Sequence, residues 1–375
     1  MVSALASTEL AFTNNPFLNP YTHKTHLVNK RLVMGCSGSK AAGVAAIPES
    51  STGPIELTAS SCTTVIDAKI SGMFSKEMTA TPQEQGVLFN HVSENAAKGL
   101  ELVTSYPKME MPEMPGMGAQ MGMALGAPTT MEIKSTVQTF FKPVEAGKTL
   151  TTVLVYAPIH VDASVGFMNV QVNMQEGIGA TINSYSAQGY RLCGMGIAGG
   201  ATTTKFAGAS STSLAELVFQ KVDPALPSSC MILQAAIKVS VNMGVMSSTV
   251  PDFAGTLNEY GAQGWSLDGF MMPPQAPPQV GLMSFNFDMA VQTYLSKPEA
   301  DAQPKKYVTA TYNYQMKVGV GGASLSGDPL PMIQEHAQKG WMLKGALSLP
   351  AQRKGMTGMA VPLMLFFEAP VVQQA

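Results

Sequence analysis

The chain has 375 residues, of which 25 are acidic and 23 are basic, so its formal net charge is −2. Such a balanced charge does not indicate a protein that binds nucleic acid. Four Cys in a chain of this length do not indicate a disulfide scaffold. No apolar run approaches the roughly 20 residues of a membrane-spanning helix.

The amino-terminal region contains an extension followed by an acylation pattern. Residues 1–33 lack the apolar core of a secretory signal. Residues 34–40 read MGCSGSK and fit M-G-x-x-x-[ST], provided that translation starts at Met34 and this Met is removed. On this interpretation Gly35 is N-myristoylated and Cys36 is S-palmitoylated, and two acyl chains anchor stably where one is marginal. If translation starts at Met1, Gly35 is internal and the match is fortuitous. With a start at Met34, residues 34–58 are the acylation site and a linker, and residues 1–33 are a doubtful or disordered extension.

The remaining chain repeats one motif, a Gly followed by an aromatic residue or Leu, any residue, and Leu. The four glycines are 90, 75 and 76 residues apart (189−99, 264−189, 340−264). The motif residues are Gly99 and Leu102; Gly189, Tyr190 and Leu192; Gly264, Trp265 and Leu267; and Gly340, Trp341 and Leu343. This self-similarity predicts four repeats, at residues 59–145, 146–224, 225–300 and 301–375.

Each copy has similar surroundings. A β-branched apolar stretch precedes a helical segment, and the glycine then leads into a strand, a loop and a final strand. Helix starts are predicted at residues 81–84, which form a capping box with Pro82 at the first helical position, and at Asp328-Pro329. The glycine is placed just past the helix end, where a positive φ costs it nothing, and the residue after it packs back on the last turn.

The predicted fold class is therefore α+β. It consists of four tandem β-α-β-β repeats with antiparallel or mixed sheets, helices on one face, and repeats paired to hide their apolar sheets. The strand order stays open, because the first two strands could form a right-handed parallel crossover or the final strand could lie between them.

A methionine-rich loop is predicted at residues 109–131 of repeat 1. Its composition fits a flexible hairpin loop, a contact surface for a membrane or partner, or a Cu(I) site. None of the five His lies at metal-ligand spacing with Cys or an acid. The sequence therefore predicts no metal site, no cofactor and no catalytic residues, and the expectation is a protein that is not an enzyme.

The M-G-C sequence at Met34, followed by several such units, resembles the raftlin family of acylated, raft-linking membrane proteins over residues 34–370. The single repeats are also similar to small bacterial domains with a G-W-E-L core, a likeness that concerns fold only. The resemblance implies attachment through Gly35 and Cys36 to raft-type lipid on the cytosolic face of the plasma membrane or endocytic membranes. It also implies a scaffold for membrane-associated proteins in receptor signalling and trafficking. Raftlins carry long charged segments and a hydrophilic tail, whereas this chain ends at Ala375.

The alternative function is a soluble ligand-binding or assembly protein, built from paired β-α-β-β units without a lipid anchor. The mature amino terminus distinguishes the two, because only a chain that begins at Gly35 can carry the myristoyl group.

Overall fold

The computed structural model forms two units, residues 1–40 and 41–375. It describes residues 47–50, 52–71, 76–108, 129–165, 170–175, 178–205, 208–242, 245–272, 285–300, 302–319, 322–354 and 358–371, all within the second unit. Gly35, Cys36 and residues 109–128 of the methionine-rich loop lie outside the described residues.

The same order of elements recurs four times. Repeat 1 comprises β1 (Thr58–Ser71), β2 (Lys76–Pro82), α1 (Val87–Ala96), β3 (Leu100–Pro107) and β4 (Thr129–Pro143). Repeat 2 comprises β5 (Thr149–Val165), β6 (Val170–Gln175), α2 (Ile178–Ser186), β7 (Arg191–Lys205) and β8 (Gly208–Asp223). Repeat 3 comprises β9 (Ser228–Asn242), β10 (Val245–Thr249), α3 (Phe253–Gly261), β11 (Ser266–Met271) and β12 (Phe285–Pro298). Repeat 4 comprises β13 (Lys305–Gly319), β14 (Gly322–Ser326), α4 (Leu330–Gln338), β15 (Met342–Ser348), β16 (Gln352–Lys354) and β17 (Gly358–Pro370).

The strands of each repeat pair in one order, which repeat 3 shows as β10-β9-β12-β11. All pairings are antiparallel, and the final strand lies between the first strand and the strand that follows the helix. Repeats 1 and 2 share one eight-stranded sheet, because Lys76–Ala80 of β2 pairs with Gly200–Thr204 of β7. This order corresponds to the second of the two alternatives that the sequence left open.

The α+β prediction, with helices covering one face of each sheet, is wrong. The residues that the structure describes are mostly β, with three curled antiparallel sheets resembling half-barrels and four short helices. The sequence missed the strand that follows the first strand of every repeat. The residues interpreted as a capping box, 81–84, belong in part to the end of β2, and α1 begins only at Val87.

Four hydrophobic clusters hold the repeats together, and each cluster joins two repeats. Leu88 and Val92 of repeat 1 pack with Val218 of repeat 2, and further clusters join repeats 2 to 3 and 3 to 4. The fourth joins Trp341 of repeat 4 to Phe140 of repeat 1. A hydrophobic cluster thus joins each repeat to the next and the fourth repeat to the first, so the described residues of the four repeats form a closed ring.

The helix starts differ in where their capping acceptor comes from: α3 uses a residue of its own repeat, and α1 uses a residue of the following repeat. The carboxylate of Asp252 caps α3 by accepting from the Gly255 N–H at 2.9 Å. Gly86, at the start of α1, has no side chain to offer. Glu216 of repeat 2 supplies the missing acceptor, because its Oε1 lies 3.1 Å from the Phe89 N–H.

The helix ends use the motif glycines. Gly99, Gly189, Gly264 and Gly340 have φ values between +75° and +88°, a region that suits Gly because it has no Cβ. In repeats 2, 3 and 4 the next residue donates its N–H back to the last helical turn, as Trp265 does to Tyr260 O at 3.2 Å. The ring of Tyr190 packs edge-on against Tyr185 at 5.7 Å between centroids.

Candidate functional site

Strands β3, β7, β11 and β15, one from each repeat, contact one another at the centre of the ring. We call this meeting point the strand junction. Each of these strands carries a β-bulge directly after its motif Leu. The extra residues are Val103, Cys193, Asp268 and Lys344, and each is at most 8% exposed. Because a bulge re-aims a side chain, these strands bury two consecutive residues where a regular strand buries one.

Repeats 1 and 2 meet at the junction through Glu101 and Arg191. Arg191 Nη2 lies 3.3 Å from Glu101 Oε1 and donates to the Leu102 carbonyl at 2.8 Å. Lys142 Nζ lies 3.2 Å from the other carboxylate oxygen of Glu101. Burial alone would raise the pKa of Glu101, but Arg191 and Lys142 outweigh it and lower this pKa below its ordinary value. The charge of Glu101 is therefore maintained at neutral pH.

Repeats 3 and 4 meet around Glu368. Ser266 Oγ donates to Glu368 Oε2 at 2.7 Å, and the Tyr307 hydroxyl donates to the same oxygen while accepting from the Leu267 N–H at 2.9 Å. Lys305 Nζ and Lys344 Nζ lie 3.4 and 3.6 Å from Glu368 Oε1. Burial opposes the charge, yet these partners lower the pKa of Glu368 to about 2.

The two charged bulge residues respond to burial in opposite directions. Burial raises the pKa of Asp268 to about 6, because only Ser296 donates a hydrogen bond to its carboxylate, at 2.9 Å, among the contacts described. Burial lowers the pKa of Lys344 to about 8, even with Glu368 beside it. Repeats 4 and 1 are joined here by the Thr104 hydroxyl, which donates to the Lys344 carbonyl at 3.0 Å.

A second feature of the ring is the segment of residues 47–57, which we call the closing segment. It runs along the end of α4 before β1 begins. Trp341 Nε1 donates to the Pro48 carbonyl at 2.7 Å, and the Ser50 N–H donates to the Lys339 carbonyl at 3.0 Å. The Thr52 hydroxyl donates to the Gly340 carbonyl at 2.9 Å.

The closing segment occupies the place of an inter-repeat linker. A Cβ added to Gly189 would meet Ala225, and one added to Gly264 would meet Ala302, in the linkers that follow repeats 2 and 3. At Gly340 the corresponding neighbours are Ser50 and Thr52. The residues before repeat 1 therefore close the ring at the one junction that has no covalent linker. We call this contact the seam.

The structure distributes the motif residues between the core and the helix ends. Leu102, Leu192, Leu267 and Leu343 are at most 2% exposed, and Trp341 is buried beneath the closing segment. Tyr190 and Trp265 are half-buried beside their helices. Gly35 and Cys36, the two residues assigned to lipidation, lie outside the described residues.

Among the residues that the structure describes, no group of three or more His, Cys, Asp or Glu is placed to hold a metal ion. Within the same residues, no helix is long and apolar enough to cross a bilayer.

The sequence analysis missed the charged residues of the junction. Asp268 and Lys344 directly follow a buried Leu, and strand alternation predicts that such residues face solvent. The signal that could have found them is the recurrence of the bulge at one motif position, which becomes visible only when the strand pairing is known.

No protein-family model, curated protein or solved structure matches this chain.

Proposed function

We propose that this chain is a membrane-anchored scaffold on the cytosolic leaflet, tethered by acyl groups on Gly35 and Cys36. The observation that carries the proposal is the sequence MGCSGSK at residues 34–40, which fits M-G-x-x-x-[ST] when translation starts at Met34. The four repeats follow this sequence in the chain.

The four repeats supply the scaffold part of the proposal. Each repeat is a small sheet with one short helix, and a ring of four such binding-type units attached to a membrane suits a scaffold for proteins of the same membrane.

The nature of the anchor follows from the chemistry of the two residues. A single myristoyl chain binds membranes only marginally, and a second acyl chain on Cys36 makes the attachment stable. Residues 34–40 contain one Lys and therefore form no polybasic patch. The proposed role in raft-type lipid, receptor signalling and trafficking is the one that the likeness to raftlins suggests.

The experiment compares four chains expressed from Met34 in animal cells: the parent, Gly35→Ala, Cys36→Ser and Ser37→Ala. Membrane flotation should recover the parent and Ser37→Ala with membranes, because Ser37→Ala leaves the acylation pattern intact. We expect Gly35→Ala to be released completely and Cys36→Ser mostly. Thermal unfolding of all four chains checks that the ring is unchanged.

The same material tests the alternative, a soluble ligand-binding or assembly protein. The intact mass of the chain from its native source shows whether it begins at Gly35 with a myristoyl group or retains the residues before it. A parent chain that stays fully soluble, or a native chain without acyl groups, would refute the anchor and favour the soluble alternative.

A further inference from the structure

Asp268 is a buried carboxylate of the strand junction that forms no ion pair among the residues that the structure describes. Asp268 is 8% exposed, and in the described structure its carboxylate has no cation within 4.0 Å. Arg191 is bound to Glu101 and the Leu102 carbonyl instead, and Lys344 is paired with Glu368. A buried charge without a partner is unfavourable, and protonation removes that cost.

Asp268 lies among titratable groups from several repeats. Around it are Arg191 and Cys193 of β7, Cys230 of β9, Lys305 and Tyr307 of β13, and Lys344 of β15. Two of these cations are paired with other carboxylates, Arg191 with Glu101 of β3 and Lys344 with Glu368 of β17. Strand β12 contributes the Ser296 hydroxyl, and α3 carries Glu259, whose side chain is exposed. The fixed charges of Arg191 and Glu368 persist at mildly acidic pH, so Asp268 is the carboxyl group of the junction that changes charge there.

We propose that Asp268 makes the ring an acid-stabilised fold, in which proton uptake between pH 7.5 and 5 stabilises the folded chain against unfolding. The direction follows from linkage. Burial raises the pKa of Asp268 from 3.8 to about 6 in the folded chain. The folded state therefore binds the proton more tightly than the unfolded state, and stability increases as the pH falls through 6.

The size of the effect follows from the same two values. With a folded pKa of about 6 and an unfolded pKa of 3.8, protonation lowers the unfolding constant about tenfold between pH 7.5 and 5. Glu101 and Glu368, whose pKa values are lowered, oppose this change mainly below this window. His91 and His336 also oppose it, because burial lowers their pKa values. Glu216 acts in the same direction as Asp268, because burial raises its pKa.

The experiment therefore compares variants, so that these common contributions cancel. Unfolding constants of the full chain in urea are measured at pH 7.5 and 5 for the parent, Asp268→Asn and Asp288→Asn. Asp288 is an exposed acid on β12 and serves as the matched control. We expect Asp268→Asn to be more stable than the parent at pH 7.5, and this advantage to shrink about tenfold at pH 5. Asp288→Asn should follow the parent at both values.

If Asp268→Asn does not fold, a second variant still tests the proposal. Ser296→Ala removes the hydrogen bond to the carboxylate, so the infrared band of the protonated carboxyl should appear at a higher pH than in the parent. The proposal is overturned if the parent and Asp268→Asn keep a constant ratio of unfolding constants. It is equally overturned if the parent shows no carboxyl group titrating near pH 6. Neither result depends on the lipid anchor.

Discussion

The substitution Gly340→Ala tests whether residues 47–57 close the ring. Gly340 has a φ of +80°, and an added Cβ would overlap the Thr52 carbonyl oxygen and Ser50 Oγ. The first of these atoms belongs to the backbone, so the closing segment must move as a whole to accommodate the methyl group.

The chain supplies a matched control in Gly99→Ala. Gly99 has nearly the same backbone conformation, with a φ of +75°, but no atom lies within 4 Å of its added Cβ. Both variants bear the cost of a Cβ in the left-handed region, about 1–2 kcal/mol. Only Gly340→Ala also loses the four hydrogen bonds of the seam that involve Pro48, Ser50, Thr52 and Ile55. At about 1 kcal/mol each, these bring its total loss to about 5–6 kcal/mol.

Urea unfolding of the two variants measures the difference, and hydrogen exchange locates it. Gly340→Ala should expose the amides of Ser50 and Ile55, which donate to α4 carbonyls, to rapid exchange. Gly99→Ala should leave both amides protected. Equal destabilisation by the two variants, or protected Ser50 and Ile55 amides in Gly340→Ala, would show that the segment does not hold the seam.

Three further substitutions test contacts between repeats, each measured by urea unfolding. Tyr307→Phe leaves the Leu267 N–H without its partner and removes one of the two hydrogen bonds to Glu368 Oε2. It should cost about 2–3 kcal/mol; a loss below about 0.5 kcal/mol would contradict this account. Glu368→Gln should cost up to about 3 kcal/mol at pH 7. Because the pKa of Glu368 is lowered to about 2, its contribution is present above pH 4.5 and is lost toward pH 2, so parent and variant should converge in acid. Glu216→Ala should cost about 1 kcal/mol and speed exchange of the Phe89 amide; unchanged exchange there would rule out capping by the neighbouring repeat.

The sequence predicted the repeat because its strongest signals are local. A glycine that ends a helix, followed by an aromatic residue and a buried Leu, can be recognised by self-comparison, and Gly264, Trp265 and Leu267 illustrate it. The missed strands have no such signal. Strand β14 has only five residues, Gly322–Ser326, and its small polar residues resemble a loop. Pairing with the preceding long strand creates it, and pairing is not visible in residue types.

The error in fold class has the same origin. If β2, β6, β10 and β14 are overlooked, the sequence pattern of each repeat predicts a small sheet with a helix over one face. The additional strands extend and curl the sheets, and the short helices fill the interface with the next repeat. Leu88 and Val92 are buried as helical spacing predicts, but their partner Val218 belongs to repeat 2. Periodicity identifies an apolar face and leaves its partner unspecified.

The strand junction is even harder to predict from sequence than the fold class, because it forms only when the four repeats pack together. Glu101 and Arg191 are 90 residues apart and pair only because the ring places β3 beside β7. Asp268 becomes buried only because a bulge interrupts strand alternation. Neither property belongs to a single repeat, so inspecting the four copies one at a time could not identify the junction.

The seam differs from the other three contacts between repeats, because no linker joins repeat 4 to repeat 1. Three of the four contacts between repeats are backed by a covalent linker, which supplies a high effective concentration of one repeat beside the next. The fourth, between repeats 4 and 1, relies on the closing segment and on the cluster that joins Trp341 to Phe140. The ring should therefore open first at the seam.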